Sequence, residues 1–220
     1  MSETHAPTTA ADRVKVFGHH INGCSVPSAS GRLIDVHAPA TGEVIARVAD
    51  GGLQEVQQAV AAARTALTSP EWAVMSPRER GKLVIHLAEL MERNLEELFH
   101  LETLNNGRPL RETRSQISRA PDLFRYNAAL AIARRDDVIP VEGPYFTFTK
   151  RLPIGVVANI SPFNHPLLIA CRNIAPTLAS GCTTVVKPSE YTPLTVLRLA
   201  EIFEAGGLPP GVLNVVTGYG

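Results

Sequence analysis

Two patterns of apolar residues divide the chain near residue 150. From Val14 to Ala49, short runs such as Leu33 to Val36 and Val44 to Val48 lie between turn signals at Ile21-Asn22-Gly23, Ser30-Gly31 and Thr41-Gly42, which is the pattern of hairpins. Val56, Val60, Ala63 and Leu67 then recur at helical spacing, with Asp50 upstream as a candidate cap. Further helices are predicted from about Ser76 to Asn94, over Leu95 to Leu104 with a stop at Asn105-Asn106-Gly107, and from about Leu110 to Ala133. Alternation returns in Tyr145 to Lys150, where Phe146 and Phe148 are separated by threonine.

After Pro153 the text changes. Ile154 to Ile160, Thr183 to Val186 and Val212 to Val216 are short apolar runs, and helical patterns fill Pro166 to Ser180 and Pro193 to Ala205. Strand, helix, strand, helix, strand at roughly 30 residues per unit is the form of βαβ crossovers. Runs that are apolar throughout suit parallel strands buried on both faces. The predicted fold class is α/β: an incomplete doubly wound parallel (Rossmann-like) sheet over 151–220, preceded by a helical and β-hairpin region over 13–150 and a polar tail over 1–12. On this reading the strand Val212 to Val216 has an unpaired edge and an uncovered face, because no crossover follows it.

Composition narrows the function classes. Of 220 residues 45% are hydrophobic and 19% charged, as in an ordinary globular protein. With 21 basic and 21 acidic residues and no basic tract, nothing calls for nucleic acid or an anionic membrane as partner. Pro166 to Ala179, the longest apolar stretch, is interrupted by Arg172 and Asn173 and is too short to span a bilayer. Met1 to Asp12 lacks the apolar core of a secretory signal. Cys24, Cys171 and Cys182 are odd in number and lack metal-ligand spacing, so reduced thiols, a cytoplasmic location and no metal site are expected.

Three spaced motifs carry a resemblance. Pro153-Ile-Gly-Val-Val-Ala-Asn-Ile-Ser-Pro-Phe-Asn-His-Pro-Leu167 spans the first apolar run and its turn. Thr184-Val-Val-Lys-Pro-Ser-Glu190 with Thr192-Pro-Leu194 spans the second, and Gly207-Leu-Pro-Pro-Gly-Val-Leu-Asn-Val-Val-Thr-Gly218 leads into the third. In this order they resemble the cofactor domain of the aldehyde dehydrogenase superfamily. The turn Ala38-Pro-Ala-Thr-Gly-Glu43 and the corner Asn106-Gly-Arg-Pro109 fit as well, although many relatives have asparagine where Ala38 stands.

The resemblance implies NAD(P)-dependent oxidation of an aldehyde, with residues 151–220 forming the first half of an NAD-binding domain. Asn164 would be one arm of an oxyanion hole, since a neutral amide donates hydrogen bonds without titrating; position alone favours a turn or helix-capping asparagine, and the motif match reverses that. Lys187 and Glu190 would hold the adenosine ribose, with NAD favoured over NADP because a carboxylate repels a 2′-phosphate. Ile160, Ser161, Pro162, Phe163 and Ser189 would line the cofactor cleft, and Gly218 and Gly220 would let backbone approach adenosine. A complete enzyme would be a homo-oligomer, paired through a small bridging sheet to which Tyr145 to Thr149 belongs.

The family's catalytic cysteine and glutamate match nothing in these 220 residues. Cys171 and Cys182 sit in apolar text and read as core residues. The resemblance therefore implies that the 220 residues alone oxidise no aldehyde. A non-catalytic nucleotide-binding or oligomerisation module and an acyl-CoA-reductase-like relative remain open as alternatives. His165, Ile169 and Arg172 recur at i, i+4 and i+7, so they share a face that would line the substrate path. Arginine there suits a carboxylate, as in succinic semialdehyde dehydrogenases, and suggests a carboxylated semialdehyde; a structural arginine is the equal alternative.

Overall fold

The computed structural model describes residues 14–220, and the tail read over Met1 to Asp12 lies outside them. The described chain begins with β1 (Lys15–Phe17), β2 (His19–Ile21), β3 (Cys24–Val26), β4 (Leu33–His37) and β5 (Val44–Ala49). Helices α1 (Leu53–Leu67), α2 (Pro70–Ala73), α3 (Pro77–Arg93), α4 (Leu95–Asn106), α5 (Leu110–Ile117) and α6 (Ala120–Ala133) follow. The pair β6 (Val138–Ile139) and β7 (Thr147–Phe148) leads to β8 (Val156–Ile160), α7 (Pro166–Ser180), β9 (Thr183–Lys187), α8 (Leu194–Ala205) and β10 (Leu213–Val215).

Local chemistry accounts for most helix ends. Ser76 opens α3 through a capping box: its hydroxyl accepts from the Glu79 amide at 3.2 Å while Glu79 accepts from the Ser76 amide at 2.9 Å. Asp50 does not cap α1. It pairs instead with Arg32 at 2.9 Å, and Glu55 reaches back to the Gly52 amide at 2.7 Å. The single helix expected from Leu110 to Ala133 is two, because Pro121 near the start of α6 cannot donate to residue 117 and its ring crowds that carbonyl. Helix α2 is a single turn that periodicity cannot reveal. It buries Trp72, whose indole N–H donates to the Gly181 carbonyl at 2.9 Å.

Strands β8, β9 and β10 are parallel neighbours joined by α7 and α8, as the βαβ pattern predicts. Val186, Leu213 and Val215 face the main core beneath α7 and α8, whereas Val185 and Val216 face α1 with Ala59 and Ala63. The sheet is therefore covered on both faces. Full burial holds for β10 and for β9 up to Lys187 but not for β8, which lies at the end of the sheet and exposes Ala158 and Ile160.

The expectation of an open β10 is corrected by the structure. Its second edge is filled by β2, antiparallel with Val215 opposite His20, and β3 extends the sheet to the order β3-β2-β10-β9-β8. Asn214 fastens the junction, accepting from the Asn22 amide at 3.0 Å and donating to Gly211 at 2.7 Å. Residues on the two sides of position 150 thus share one sheet and its covering helix. The hairpin region read over 13–150 supplies the antiparallel edge of the sheet read over 151–220. A second sheet, β1-β5-β4, and the pair β6-β7 stand apart from it.

Candidate active site

The carboxyl ends of the parallel strands lie side by side. Ile160 is opposite Lys187, the Ser161 amide donates to the Lys187 carbonyl at 3.1 Å, and the Val216 amide donates to Val186 at 2.9 Å. The chain leaves all three strands along one edge, where open α/β sheets bind ligands. Lys187 and Glu190 meet there at 3.5 Å, both side chains about three-quarters buried. Ser189 is buried and its hydroxyl accepts from the Tyr191 amide at 3.3 Å. The buried hydroxyls of Ser161 and Thr192 have no partner among the described residues.

Ile160 at the end of β8 and Pro162 and Phe163 beyond it are exposed, and Phe163 meets Tyr191 edge to face at 6.1 Å. Phe163, Glu190, Tyr191 and Tyr219 share a cleft of about 600 Å3 with Val36 and Asn105. Gly218 has a packing reason of its own, since a Cβ there would lie 2.8 Å from the Gly51 carbonyl oxygen. Gly220 is exposed with open space around it.

Asn164 is exposed in the turn between β8 and α7, and its side-chain amide has no hydrogen-bond partner among the described residues. Asn106 donates to the Phe163 carbonyl and Arg108 to the Asn164 carbonyl, both at 2.6 Å. His165 is the N-cap of α7 rather than part of it, but its carbonyl accepts the Ile169 amide at 3.0 Å, so the first turn continues onto Ile169. Its Nδ1 lies 2.6 Å from Gln116 Oε1 on α5. Burial, helped by the charge of Arg108, lowers the His165 pKa; because Gln116 Oε1 can only accept, it is Nδ1–H that donates to it. Ile169 is half-buried; Arg172 is exposed, with no ion pair or hydrogen bond among the described residues.

Sequence reasoning missed the polar groups beneath this edge. Glu102 on α4 accepts from the Thr195 hydroxyl at 2.6 Å and the Leu167 amide at 3.4 Å, so one carboxyl serves the first turns of both α7 and α8. Asn105 accepts from the Leu194 amide at 3.2 Å and donates to the Tyr191 carbonyl at 2.9 Å. Burial pushes the Glu102 carboxyl up to about 7, opposed by the Thr195 hydroxyl, the Leu167 amide and the charge of Arg108. A signal was present: Leu98, Phe99, Glu102 and Asn105 make one buried helix face, and two of its members are polar.

Cys171 and Cys182 are buried, and all three cysteines are free. Burial, helped by Glu102, pushes the Cys171 thiol up, so it keeps its proton and is no nucleophile. Among the described residues no cluster of three or more His, Cys, Asp or Glu is placed to hold a metal ion, and no helix is long and apolar enough to cross a membrane.

The three parallel strands thus carry a lysine–glutamate pair and an exposed asparagine at their carboxyl edge. The aldehyde dehydrogenase family model matches residues 25–220. DhaS, an aldehyde dehydrogenase homologue of Bacillus subtilis (strain 168), is 45% identical over 202 residues, covering 91% of this chain and 41% of its own length. Aldehyde dehydrogenase family 2 member B4, mitochondrial, of Arabidopsis thaliana is 44% identical, over 91% of this chain and 37% of its own. The structure of an NAD+ complex of aldehyde dehydrogenase from Bacillus cereus superposes with a TM-score of 0.90 at 38% identity, over 94% of this chain and 42% of that one. The chain belongs to the aldehyde dehydrogenase family. It spans about two fifths of the length of these relatives.

Proposed function

We propose that the chain supplies the NAD cradle and one oxyanion donor of an enzyme that oxidises an aldehyde, with water, to the acid while NAD takes the hydride. The observation that carries this reading is the pairing of Ile160 with Lys187, which brings Ser161, Lys187 and Glu190 to one strand edge. The residues fit a dinucleotide. The Ser161 hydroxyl is buried without a partner, and Lys187 and Glu190 present a donor and an acceptor suited to ribose hydroxyls. Ile160, Pro162, Phe163, Ser189 and Gly220 flank that position. NAD, when bound, supplies the hydride acceptor. Asn164 donates hydrogen bonds to the aldehyde oxygen as negative charge grows on it, and its amide is uncommitted in the structure.

Glu190 favours NAD, since its charge would face a 2′-phosphate. In the enzyme, Glu190→Gln is expected to raise kcat/KM with NADP relative to NAD by roughly 10-fold, the worth of one hydrogen bond to a charged group. An unmoved ratio would remove Glu190 from the ribose site. Reduced thiols at Cys24, Cys171 and Cys182 support a cytoplasmic location. The exposed apolar residues Val138 and Ile139 on β6, Phe148 on β7 and Phe146 just before it support a homo-oligomer.

The substrate we assign is a carboxylated semialdehyde, held by Arg172 with His165 and Ile169 beside it. The support is that Arg172 is exposed one helical turn beyond Ile169 on α7 and is not consumed by an ion pair among the described residues. Arg172→Ala is expected to lower kcat/KM roughly 10- to 150-fold for an aldehyde bearing a distal carboxylate, and hardly at all for an uncharged aldehyde of equal length. Equal losses on both substrates would make Arg172 structural and end the semialdehyde assignment.

A further inference from the structure

The corner Asn106-Gly107-Arg108 takes no part in the binding described so far, yet it touches the turn that carries Asn164 at two consecutive carbonyls. We propose that Asn106 and Arg108 are positioning residues that aim the Asn164 side chain. This rests on the reading of Asn164 as a donor to the substrate oxygen.

Peptide groups are planar, so the direction of a Cα–Cβ bond is set by the two peptide planes that flank it. The Phe163 carbonyl belongs to the plane before Asn164 and the Asn164 carbonyl to the plane after it. Asn106 holds the first and Arg108 the second, each at 2.6 Å. With both planes held, φ and ψ of Asn164 are fixed and only its side-chain torsions remain free. The following residues are anchored too, His165 by Gln116 and the Leu167 amide by Glu102, so the pinned turn runs directly into α7.

The corner itself is rigid. Gly107 ends α4 with a φ of 81°, where residues with side chains are strained, and its amide donates to Thr103 at 2.9 Å. A Cβ at 107 would lie 2.9 Å from Cβ of Pro39. Pro39 sits in a closed turn, in which the Gly42 amide donates to Ala38 at 2.8 Å and the Ala38 amide to Glu43 at 2.9 Å. The two outlying motifs of the sequence, the Pro39 turn and the Asn106–Pro109 corner, thus meet as a backstop for the Asn164 turn. Arg108 is suited to the task because its planar fork resists reorientation better than a lysine ammonium does.

The test has a structural and a kinetic arm. In the 15N-labelled chain, the Asn164 side-chain amide and the backbone amides of Asn164 and His165 are followed in Asn106→Asp, Arg108→Ala and Arg108→Lys. Asn106→Asp keeps the shape but sets an acceptor against the Phe163 carbonyl. The expected result is that the backbone order parameters of Asn164 and His165 fall from about 0.85 to below about 0.6, with α7 beyond Ile169 unchanged and Arg108→Lys intermediate. Unchanged order at Asn164 in both Asn106→Asp and Arg108→Ala would overturn the inference, and so would loosening spread evenly over the fold.

In the enzyme, each variant should lower kcat roughly 10- to 100-fold with KM for NAD unmoved, the scale of a misplacement near 1 Å. Combined with Asn164→Ala the losses should not add, because a donor already removed cannot be misaimed. Additive losses would also overturn the inference. If Asn164→Ala alone left kcat intact, the reading of Asn164 as a donor would fail, and the order-parameter result would separate that failure from failure of the clamp.

Discussion

Replacing Asn164 with alanine is expected to lower kcat for aldehyde oxidation about 10²- to 10³-fold, the loss seen when one donor of an oxyanion hole is removed. KM for NAD should stay within about twofold, because Asn164 stands on the turn into α7 and not in the Lys187–Glu190 pair. The exposed amide makes the effect specific to chemistry: with no hydrogen bond of its own among the described residues, its loss leaves no buried partner unsatisfied and should barely change stability. Asn164→Asp sharpens the test. It preserves shape but offers lone pairs where charge develops, so it should be at least as slow as the alanine variant. Full activity in either variant, with the melting temperature unchanged, would remove the asparagine from the reaction and return it to a turn-forming role.

How far the sequence could be read depended on the range of the interactions. Helix α7 was legible at both ends because proline at its first position and glycine after its last are local signals. The parallel strands were legible because uninterrupted apolar runs report burial on two faces, although the end strand β8 shows that the same run also fits a half-exposed edge. Strand partnership was not legible. The polar text of His19 and His20 gives no sign of the buried strand β2, and its pairing with Val215 joins residues almost 200 positions apart. The break between α5 and α6 could have been read from Pro121. Among site residues, Asn164, Lys187 and Glu190 stood out through motif order. Glu102, Asn105, Asn106, Arg108 and Gln116 act through contacts made across the fold, and their roles appear only once α4 and α5 are packed against the turns of α7 and α8.

Glu102 leads to the second large effect, one of stability against pH. Its folded pKa of about 7 lies above the ordinary value of 4.5, because burial penalises the charged form more than Thr195, the Leu167 amide and Arg108 repay it. A raised carboxyl pKa means that the folded state binds the proton more tightly than the unfolded chain. Between pH 4.5 and 7 the unfolded state therefore holds fewer protons, and stability falls as pH rises, levelling off above the folded pKa. The full span amounts to about 3 kcal/mol, an order-of-magnitude figure at about 1.4 kcal/mol per pKa unit. His19, His20 and His165 act with the opposite sign. Their pKa values are lowered, chiefly by burial, so they add stability as pH climbs towards 6.5. A bare stability curve mixes the two trends. The difference between the wild-type chain and Glu102→Gln does not, because the histidines are common to both. In urea titrations from pH 5 to pH 8.5, Glu102→Gln should become more stable relative to wild type by about 3 kcal/mol across that range. At pH 5, where the folded carboxyl keeps its proton, the two should be close in stability, since an amide, like a carboxylic acid, accepts through one oxygen and can donate to the Thr195 hydroxyl from its other end. A difference that stays flat with pH would show that Glu102 titrates near its ordinary value, and that water or the first turns of α7 and α8 solvate its charge in the folded protein.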